Sequence, residues 1–258
     1  MFKDQRKEKI IELLQEREYI SVETLCRLLY ASAPTVRRDL TLLEKEGFLK
    51  RSHGGAMLIR SDSYRPLAFR AGSMLQEKRR IAKGAAALIP DGAVIFIDGS
   101  TTAAAIIAHL REKQGITVIT NGLNAMNLLQ EYKISAKCTG GDLLPGSGCF
   151  AGRMAERFVE SVNADWLFFS TSSVTGAITD YSEPETYLRQ TMLRQAAKKV
   201  FLFDHTKWGK TATFNVAALG EMDYIVSDLP APKGLEEKWI TAGSRSEANG
   251  GNSLHGRR

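Results

Sequence analysis

The front of the chain shows the apolar and polar alternation of short amphipathic helices. Residues 6–16 place isoleucine and leucine at helical spacing among charged residues, which predicts a first helix. A second helix follows Ser21, whose hydroxyl can cap its amino end. After a short break, Ser32 can cap a third helix, which tolerates Pro34 in its first turn and ends at Gly47. This order of elements is typical of a helix-turn-helix domain.

The third predicted helix has one apolar face and one basic face. At about 100° per residue its aliphatic residues share one side and must pack on the first two helices, whereas Arg38 points the opposite way. Arginine can hold guanine through two hydrogen bonds in the major groove, so we predict that this helix reads DNA. The alternative is an ordinary solvated helix with arginines on its surface. The residues predicted to face DNA are Ser32, Thr35, Arg37 and Arg38.

The residues after this helix have the pattern of a β-hairpin. Residues 48–58 are predicted to form two strands around a glycine-containing turn at 52–55, which makes the wing of a winged helix-turn-helix. Lys50, Arg51 and His53 would then meet DNA phosphates, contacts that position a protein without specifying sequence. An equal alternative for His53 is that it only supports the turn.

The motifs in residues 6–57 resemble those of the DeoR family of bacterial regulators. The arginine pair followed by Asp and Leu, with His-Gly-Gly-Ala further on, is a specific combination. The resemblance implies DNA binding by the third helix and the wing, usually with repression of transcription. The motifs that carry it are Pro34-Thr35-Val36-Arg37-Arg38-Asp39-Leu40, Leu43-Glu44-Lys45-Glu46-Gly47 and Arg51-Ser52-His53-Gly54-Gly55-Ala56.

The positive charge of the chain is concentrated near its front. The net charge is +6, residues 32–60 contain six basic and three acidic residues, and residues 61–85 contain six basic and two acidic residues. The rest of the chain is nearly balanced. This asymmetry favours a polyanion, here double-stranded operator DNA, as the partner of the front of the molecule.

We divide the chain into four segments on the basis of these patterns. A winged helix-turn-helix domain spans residues 1–58, and a linker without sustained periodicity spans residues 59–75. A larger α/β domain follows over residues 76–240. The tail, residues 241–258, is rich in Ser, Gly, Asn and Arg and is predicted to be disordered.

The larger domain alternates helical segments with continuous apolar runs. It opens with a helix over residues 76–89, whose charged residues, Lys78 among them, are predicted to face water. Apolar strands that alternate with helices predict a Rossmann-like, mostly parallel open sheet with helices on both faces. The predicted strands are 94–97, 117–119, 134–138, 166–169, 200–203 and 224–226.

Polar residues follow these strands at the edge of the sheet where ligands bind in such folds. The first strand leads into the hydroxyls of 100–102 beside a helix amino end, which could cradle a phosphate, and Lys207 could add a positive charge. Each feature also has a structural alternative, namely a helix cap, a turn or an internal ion pair. The predicted effector-binding residues are Asp98, Gly99, Ser100, Thr101, Thr102, Thr120, Asn121, Gly140, Gly141 and Lys207.

Residues 76–228 resemble the sensor domain of the same family, which is similar in fold to sugar-phosphate isomerases. The resemblance implies that a phosphorylated sugar or related metabolite binds there and changes DNA affinity. The chain departs from the family where Ser170–Ser173 replace a glycine and an acidic residue, which leaves the identity of the ligand open. Four polar residues that follow are predicted to be the exposed first turn of a helix, and the alternative is that they contribute polar groups to the ligand site: Glu183, Glu185, Tyr187 and Arg189.

The sequence as a whole favours a cytoplasmic, ligand-responsive DNA-binding regulator that acts as a homo-oligomer. No signal peptide, membrane span, metal-ligand spacing or cofactor motif is recognisable, and we expect no cofactor and no catalytic residues. Two rival functions remain. One is a sugar-phosphate isomerase with an attached DNA-binding module, and the other is a constitutive DNA-binding protein whose large domain only oligomerises.

Overall fold

A computed structural model describes residues 3–17, 19–45, 49–58 and 67–243. Three sequence predictions therefore lie wholly or partly outside the described residues. They are the end of the third helix at Gly47, the linker over residues 59–66, and the tail from residue 244 onward.

The amino-terminal part is a three-helix domain with a small antiparallel sheet in the order β1-β3-β2. Leucine and isoleucine side chains from all three helices and from the sheet form one buried core. The strand Tyr19–Ser21 was not predicted, because three residues are too few to show an alternation. Its elements are α1 (Lys3–Glu16), β1 (Tyr19–Ser21), α2 (Val22–Leu29), α3 (Ala33–Lys45), β2 (Leu49–Ser52) and β3 (Gly55–Leu58).

A buried ion pair joins the first and third helices of this domain. Arg6 on α1 donates through Nε to Asp39 Oδ2 at 2.5 Å and through Nη2 to Asp39 Oδ1 at 3.3 Å. This bidentate pairing raises the pKa of Arg6 above its ordinary value, mainly through the hydrogen bond to Asp39. Asp39 therefore faces inward on α3, while the two preceding residues, Arg37 and Arg38, face solvent.

The larger part is built on a parallel sheet of seven strands in the order β15-β14-β12-β9-β4-β5-β6. Two smaller sheets, β7-β8 and β10-β11-β13, lie beside it. The strands are β4 (Val94–Ile97), β5 (Thr117–Thr120), β6 (Ala136–Cys138), β7 (Asp142–Leu144), β8 (Cys149–Ala151), β9 (Ala164–Phe169), β10 (Ser173–Val174), β11 (Ala177–Asp180), β12 (Ala196–Phe203), β13 (Phe214–Ala218), β14 (Tyr224–Ser227) and β15 (Trp239–Thr241).

Helices cover both faces of this sheet, so the predicted fold class is confirmed. Alternate residues of one strand enter different cores: Ile95 and Ile97 of β4 pack in one cluster, and Phe96 packs in the other. This explains why the strands read as continuous apolar runs. The helices are α4 (Leu67–Gly72), α5 (Leu75–Ala86), α6 (Thr101–Ala104), α7 (Leu123–Glu131), α8 (Arg153–Glu160) and α9 (Glu183–Gln195), with 3-10 turns at Ala105–His109, His205–Lys207, Leu219–Glu221 and Glu236–Lys238.

The structure corrects the predicted segment boundaries at two places. The strand β15 includes Thr241 and pairs with β14, so the ordered sheet extends past the predicted end at residue 240. Within the predicted linker, α4 is attached to the larger domain, since Leu67 N–H donates to Gly146 O at 3.2 Å. Both segments are too short to show a periodic pattern, which is why the sequence did not reveal them.

No helix among the described residues is long and apolar enough to cross a membrane.

Candidate DNA-binding surface and ligand site

The exposed face of α3 carries the arginine pair. Val36 and Leu40 are buried in the core of the amino-terminal domain, as the helical periodicity predicted. Arg37 and Arg38 are both exposed and are therefore available to a DNA groove. At the start of the helix, the hydroxyls of Ser32 and Thr35 share a hydrogen bond of 2.9 Å.

The wing is attached to α3 through Arg51. Its backbone N–H donates to Glu44 Oε1 at 2.8 Å, and its guanidinium donates to Thr41 Oγ1 at 2.8 Å. Thr41 in turn donates to the carbonyl of Arg37 at 2.9 Å. Arg51 and Lys50 remain exposed, so these internal bonds orient the wing without removing its positive charge from the surface.

The turn of the wing explains the His-Gly-Gly motif. Gly54 has φ +80°, in the left-handed region that favours glycine. A Cβ on Gly55 would lie 2.4 Å from the carbonyl oxygen of Ile20 and 2.5 Å from the ring of Tyr19, so that position admits no side chain. The His53 carbonyl accepts from the Tyr19 hydroxyl at 3.2 Å, and the His53 side chain is exposed. The backbone of His53 thus supports the turn while its imidazole remains available to a phosphate.

The predicted ligand residues lie at the carboxyl edge of the parallel sheet, near its switch point. From the central strand β4 the chain proceeds through β5 and β6 on one side, then through β9, β12, β14 and β15 on the other. In open sheets of this kind, ligands bind where the loops after two such strands diverge, and we call the region between the loops after β4 and β9 the crevice. Asp98 and Ser170 begin these two loops.

Asp98 is 1% exposed and holds the loop after β4 from within. Its Oδ1 accepts from Ser100 N–H at 3.1 Å and from Ser100 Oγ at 2.5 Å, and its Oδ2 accepts from Arg189 Nε at 2.7 Å. Burial raises the pKa of the Asp98 carboxyl, and Arg189 opposes that rise. Both oxygens are engaged within the protein, so Asp98 positions the loop through Ser100 and Arg189 and offers no oxygen free of those bonds.

Arg189 is bonded to three carboxylates. Besides Asp98, its Nη1 donates to Asp180 Oδ2 at 2.8 Å and its Nη2 donates to Glu185 Oε2 at 3.0 Å. All four side chains of this group, which we call the Arg189 cluster, are buried. The prediction that Glu185 and Arg189 are exposed is therefore wrong, because both face the sheet edge rather than solvent.

The exposed face of the same helix does carry the other two residues of that prediction. Glu183 and Tyr187 lie at its surface, where the Tyr187 hydroxyl donates to Glu183 Oε1 at 3.1 Å. A glutamate and an arginine four positions apart usually form a surface pair on a helix. Glu185 and Arg189 have that spacing, and only their tertiary partners reveal that they are buried.

Lys207 brings a positive charge to the crevice. Its Nζ donates to Ser170 Oγ at 2.7 Å and to Thr102 Oγ1 at 3.4 Å, so it joins the loops that follow β9 and β4. Burial lowers the pKa of the Lys207 ammonium, and the negative charge of Asp204 opposes that effect. Burial raises the pKa of Asp204, but Lys207 and Thr206 outweigh it and hold that pKa below its ordinary value.

Lys78 is a second cation at this edge of the sheet, and it is buried, contrary to the prediction that it faces water. It is 6% exposed, and its ammonium donates to the backbone carbonyl of Arg70. Burial and the nearby charges of Lys207 and Arg70 lower the pKa of Lys78 to about 7, with Asp204 acting in the opposite sense. Lys78 stands three and four positions before the buried Ile81 and Ala82, so its place on the apolar face of α5 was the signal to find it.

The remaining predicted ligand residues differ in their surroundings. Gly99 and Gly141 serve close packing, since a Cβ would lie 2.2 Å from Cys149 Sγ in the first case and 2.4 Å from Ala151 O in the second. Thr120 accepts from Gly122 N–H at 3.1 Å. Asn121 donates to Phe150 O at 3.0 Å, and its buried Oδ1 accepts no hydrogen bond among the described residues. Gly140 has open space around it.

Two further observations bear on the predicted chemistry. Within the described residues no group of three His, Cys, Asp or Glu side chains could hold a metal ion. The helix after β4 is short, since α6 has four residues and a 3-10 turn follows. Ser100 Oγ caps that helix by accepting from Ala103 N–H at 3.1 Å. The positive charge of the crevice therefore comes mainly from lysine side chains.

Comparison with known proteins identifies both parts of the chain. Residues 6–62 match the DeoR-like helix-turn-helix domain, and residues 73–229 match the DeoR C terminal sensor domain. The HTH-type transcriptional regulator GolR of Listeria innocua is 35% identical over 94% of this chain and 97% of its own length. The glycerol-3-phosphate regulon repressor of Escherichia coli is 30% identical over 90% of this chain and 93% of its own length.

Similarity to solved structures is weaker. Ribose 5-phosphate isomerase A from Methanocaldococcus jannaschii has a TM-score of 0.39 and 20% identity over 51% of this chain and 53% of that chain, which is too low to bear on function. The relatives that match nearly the whole chain are transcriptional regulators and not enzymes, in agreement with the predicted absence of catalysis. The chain therefore belongs to the DeoR family and is a DNA-binding transcriptional regulator.

Proposed function

We propose that this protein is a cytoplasmic repressor whose affinity for its operator changes when a phosphorylated sugar or polyol binds at the carboxyl edge of the parallel sheet. The observation that carries the proposal is the presence of two lysines at the start of α6. The ammonium of the half-buried Lys207 donates to Thr102 Oγ1, and the ammonium of the buried Lys78 donates to the carbonyl of Arg70, which also accepts from Thr101 Oγ1.

The balance of charge in the crevice favours an anion. The positive charges of Lys207 and Arg70 lower the pKa of Lys78, and that of Arg70 also lowers the pKa of Lys207, whereas Asp204 opposes this effect at both lysines. The other acids of this edge, in the Arg189 cluster, already share a guanidinium. Two buried ammonium groups cost free energy that a phosphate dianion would offset, and charge-assisted hydrogen bonds to it are strong.

The names of two relatives agree with a phosphate ester as ligand. The regulators of Escherichia coli and Haemophilus influenzae are named glycerol-3-phosphate regulon repressors, at 30% and 29% identity. Ser170 and Ser173 are both buried, and Ser170 is bonded to Lys207. Residues 170–173 stand where many family members carry a glycine and an acidic residue, so the part of the ligand site that recognises hydroxyls would differ.

On the DNA side, α3 would enter the major groove with Arg37 and Arg38, flanked by Ser32 and Thr35, while Lys50, Arg51 and His53 contact phosphates. Both sets of side chains lie on exposed surfaces of one small domain. Readers of short half-sites act as symmetric pairs, so a homo-oligomer is part of the proposal.

The test is fluorescence anisotropy of an operator obtained by selection from random duplexes, titrated with the protein and a panel of phosphorylated sugars and polyols. We expect one ester to change the Kd at least tenfold. Lys207→Met should abolish that response and leave the Kd for DNA unchanged, whereas the exposed Lys210→Met should behave like the native chain.

Three outcomes distinguish the rival functions. Sequence-specific binding that no phosphorylated compound alters would refute the sensor role and favour a domain that only oligomerises. A response that survives in Lys207→Met would move the ligand away from this crevice. Interconversion of aldose and ketose phosphates by the purified chain would restore the isomerase alternative.

A further inference from the structure

The segment α4 is attached to the larger domain beside the ligand crevice. Leu67 N–H donates to Gly146 O at 3.2 Å, and Arg70 Nη2 donates to Ser147 O at 3.0 Å. The side chain of Leu67 packs so closely on Gly148 that a Cβ there would lie 2.6 Å from it. In the sequence, α4 immediately follows residues 59–66, which join the two domains.

A further point of attachment is the backbone carbonyl of Arg70. It accepts hydrogen bonds from two side chains, Thr101 Oγ1 at 3.1 Å and the ammonium of Lys78. Thr101 begins α6 at the carboxyl end of β4, and Lys78 lies on α5. Both donors therefore belong to the crevice proposed to hold the phosphate, while the acceptor belongs to α4.

Lys78 and Thr101 cannot bind the carbonyl of Arg70 and a phosphate in the crevice equally well. A threonine hydroxyl has one proton to donate. An ammonium has three, but bonds to a phosphate dianion are stronger than bonds to a neutral carbonyl and would reorient the lysine tip. Lys78 is also drawn towards an anion because burial and neighbouring cations lower its pKa to about 7, a penalty that an anion removes.

We propose that a phosphate bound in the crevice takes Lys78 and Thr101 from the carbonyl of Arg70 and so releases α4 from the sensor domain. Occupancy of the crevice then changes the segment that leads to the DNA-binding domain. This inference rests on the proposed function and adds the element that couples the two sites. By reciprocity, whatever loosens α4 must strengthen phosphate binding by the same factor.

The first measurement is hydrogen exchange, read by mass spectrometry on the full chain, with inorganic phosphate and glycerol 3-phosphate as probes. We expect peptides covering residues 67–72 to exchange severalfold faster when either probe saturates the protein, while the sheet strand Val94–Ile97 is unchanged. Slower exchange at 67–72 would mean that the anion tightens α4, and unchanged exchange would mean no coupling; either overturns the proposal.

The second measurement uses Leu67→Ala, which weakens the packing of α4 on Gly148 without touching the lysines. We expect calorimetry to show phosphate binding about three- to tenfold tighter than in the native chain. We also expect operator affinity to shift in the direction that the effector shifts it in the native protein. Leu123→Ala, which truncates an exposed leucine of the same domain, is the matched control.

The two hypotheses fail in different ways. If calorimetry detects no binding of either probe, the proposed function and this inference are both overturned. If a probe binds but Leu67→Ala leaves its Kd unchanged or weakens it, the ligand site survives and the role of α4 is overturned.

Discussion

Charged side chains divide into those that the sequence located and those that it misplaced. Arg37 and Arg38 follow from helical periodicity alone, because the opposite face of α3 is apolar. Lys78, Glu185 and Arg189 were misplaced in water. A charged residue is buried only when partners from distant parts of the chain satisfy it, and one sequence does not reveal which partners meet.

At the scale of single residues, Arg38 should determine which DNA is bound. A bidentate contact to guanine contributes about 1–3 kcal/mol, so Arg38→Ala should weaken specific binding by about 5- to 150-fold. Binding to random duplex should change much less. Arg153→Ala removes an equally exposed arginine of the other domain and should have no effect. An Arg38→Ala protein that keeps its full preference for the operator would show that another residue reads the bases.

Lys78 should make effector binding depend on pH. Its pKa is lowered to about 7, and a bound dianion raises it, so the complex takes up a proton. The contribution of the Lys78 ammonium to effector binding is complete below pH 7, and it is lost as the pH rises towards the higher pKa that Lys78 has in the complex. We expect the effector Kd, measured by calorimetry, to weaken between pH 7 and pH 9 by at most about tenfold per unit for this one proton.

Lys207 contributes to the same pH dependence in the same sense, because its pKa is also lowered by burial. In Lys78→Met, the effector Kd should therefore change less with pH between pH 7 and pH 8, while some pH dependence remains above pH 8. A native profile that is flat across the whole range, with the effector still bound, would exclude Lys78 as a ligand.

At the scale of elements, the strongly periodic or apolar segments were predictable and the short ones were not. The strands Val94–Ile97 and Thr117–Thr120 are apolar runs long enough to recognise. Tyr19–Ser21 and Trp239–Thr241 have three residues each, and α4 has six. These elements exist because neighbouring strands or loops supply hydrogen-bond partners, which the local sequence does not encode.

The Arg189 cluster connects α9 to the loops after β4 and β11. Arg189→Met would leave three buried carboxylates without their cation, and we expect a loss of about 3–5 kcal/mol in the free energy of unfolding at pH 7. Urea unfolding followed by tryptophan fluorescence measures this domain, since Trp166, Trp208 and Trp239 all lie in it. Arg194→Met, at an exposed position of the same helix, is the control.

The sign of the pH effect in Arg189→Met provides a second check. Burial raises the pKa of the Asp98 carboxyl and Arg189 opposes that rise, so without the guanidinium this pKa is higher still and the folded variant is most stable when Asp98 is protonated. Its deficit relative to the native chain should shrink as the pH falls from 7 towards 5. A deficit that does not change with pH would indicate lost packing rather than unpaired charge.

At the scale of the whole molecule, the uneven charge of the chain predicts how its DNA binding responds to salt. Each amino-terminal domain presents four candidate cations on the exposed surfaces of α3 and the wing: Arg37, Arg38, Lys50 and Arg51. The logarithm of the binding constant should fall with the logarithm of salt concentration with a slope of about −4 if one domain is engaged, and about −7 if two are. We expect the steeper slope, measured by anisotropy, because half-site readers pair.

The bonds of Arg51 to Thr41 and Glu44 have a mechanical consequence for regulation. These bonds hold α3 and the wing in a fixed relative orientation, so neither element moves without the other. Effector binding in the larger domain then acts on the positions of two amino-terminal domains along the duplex and not on the conformation within one of them. A displacement of a few ångströms would put every contact of one half-site out of phase at once, and release from DNA would be abrupt rather than graded.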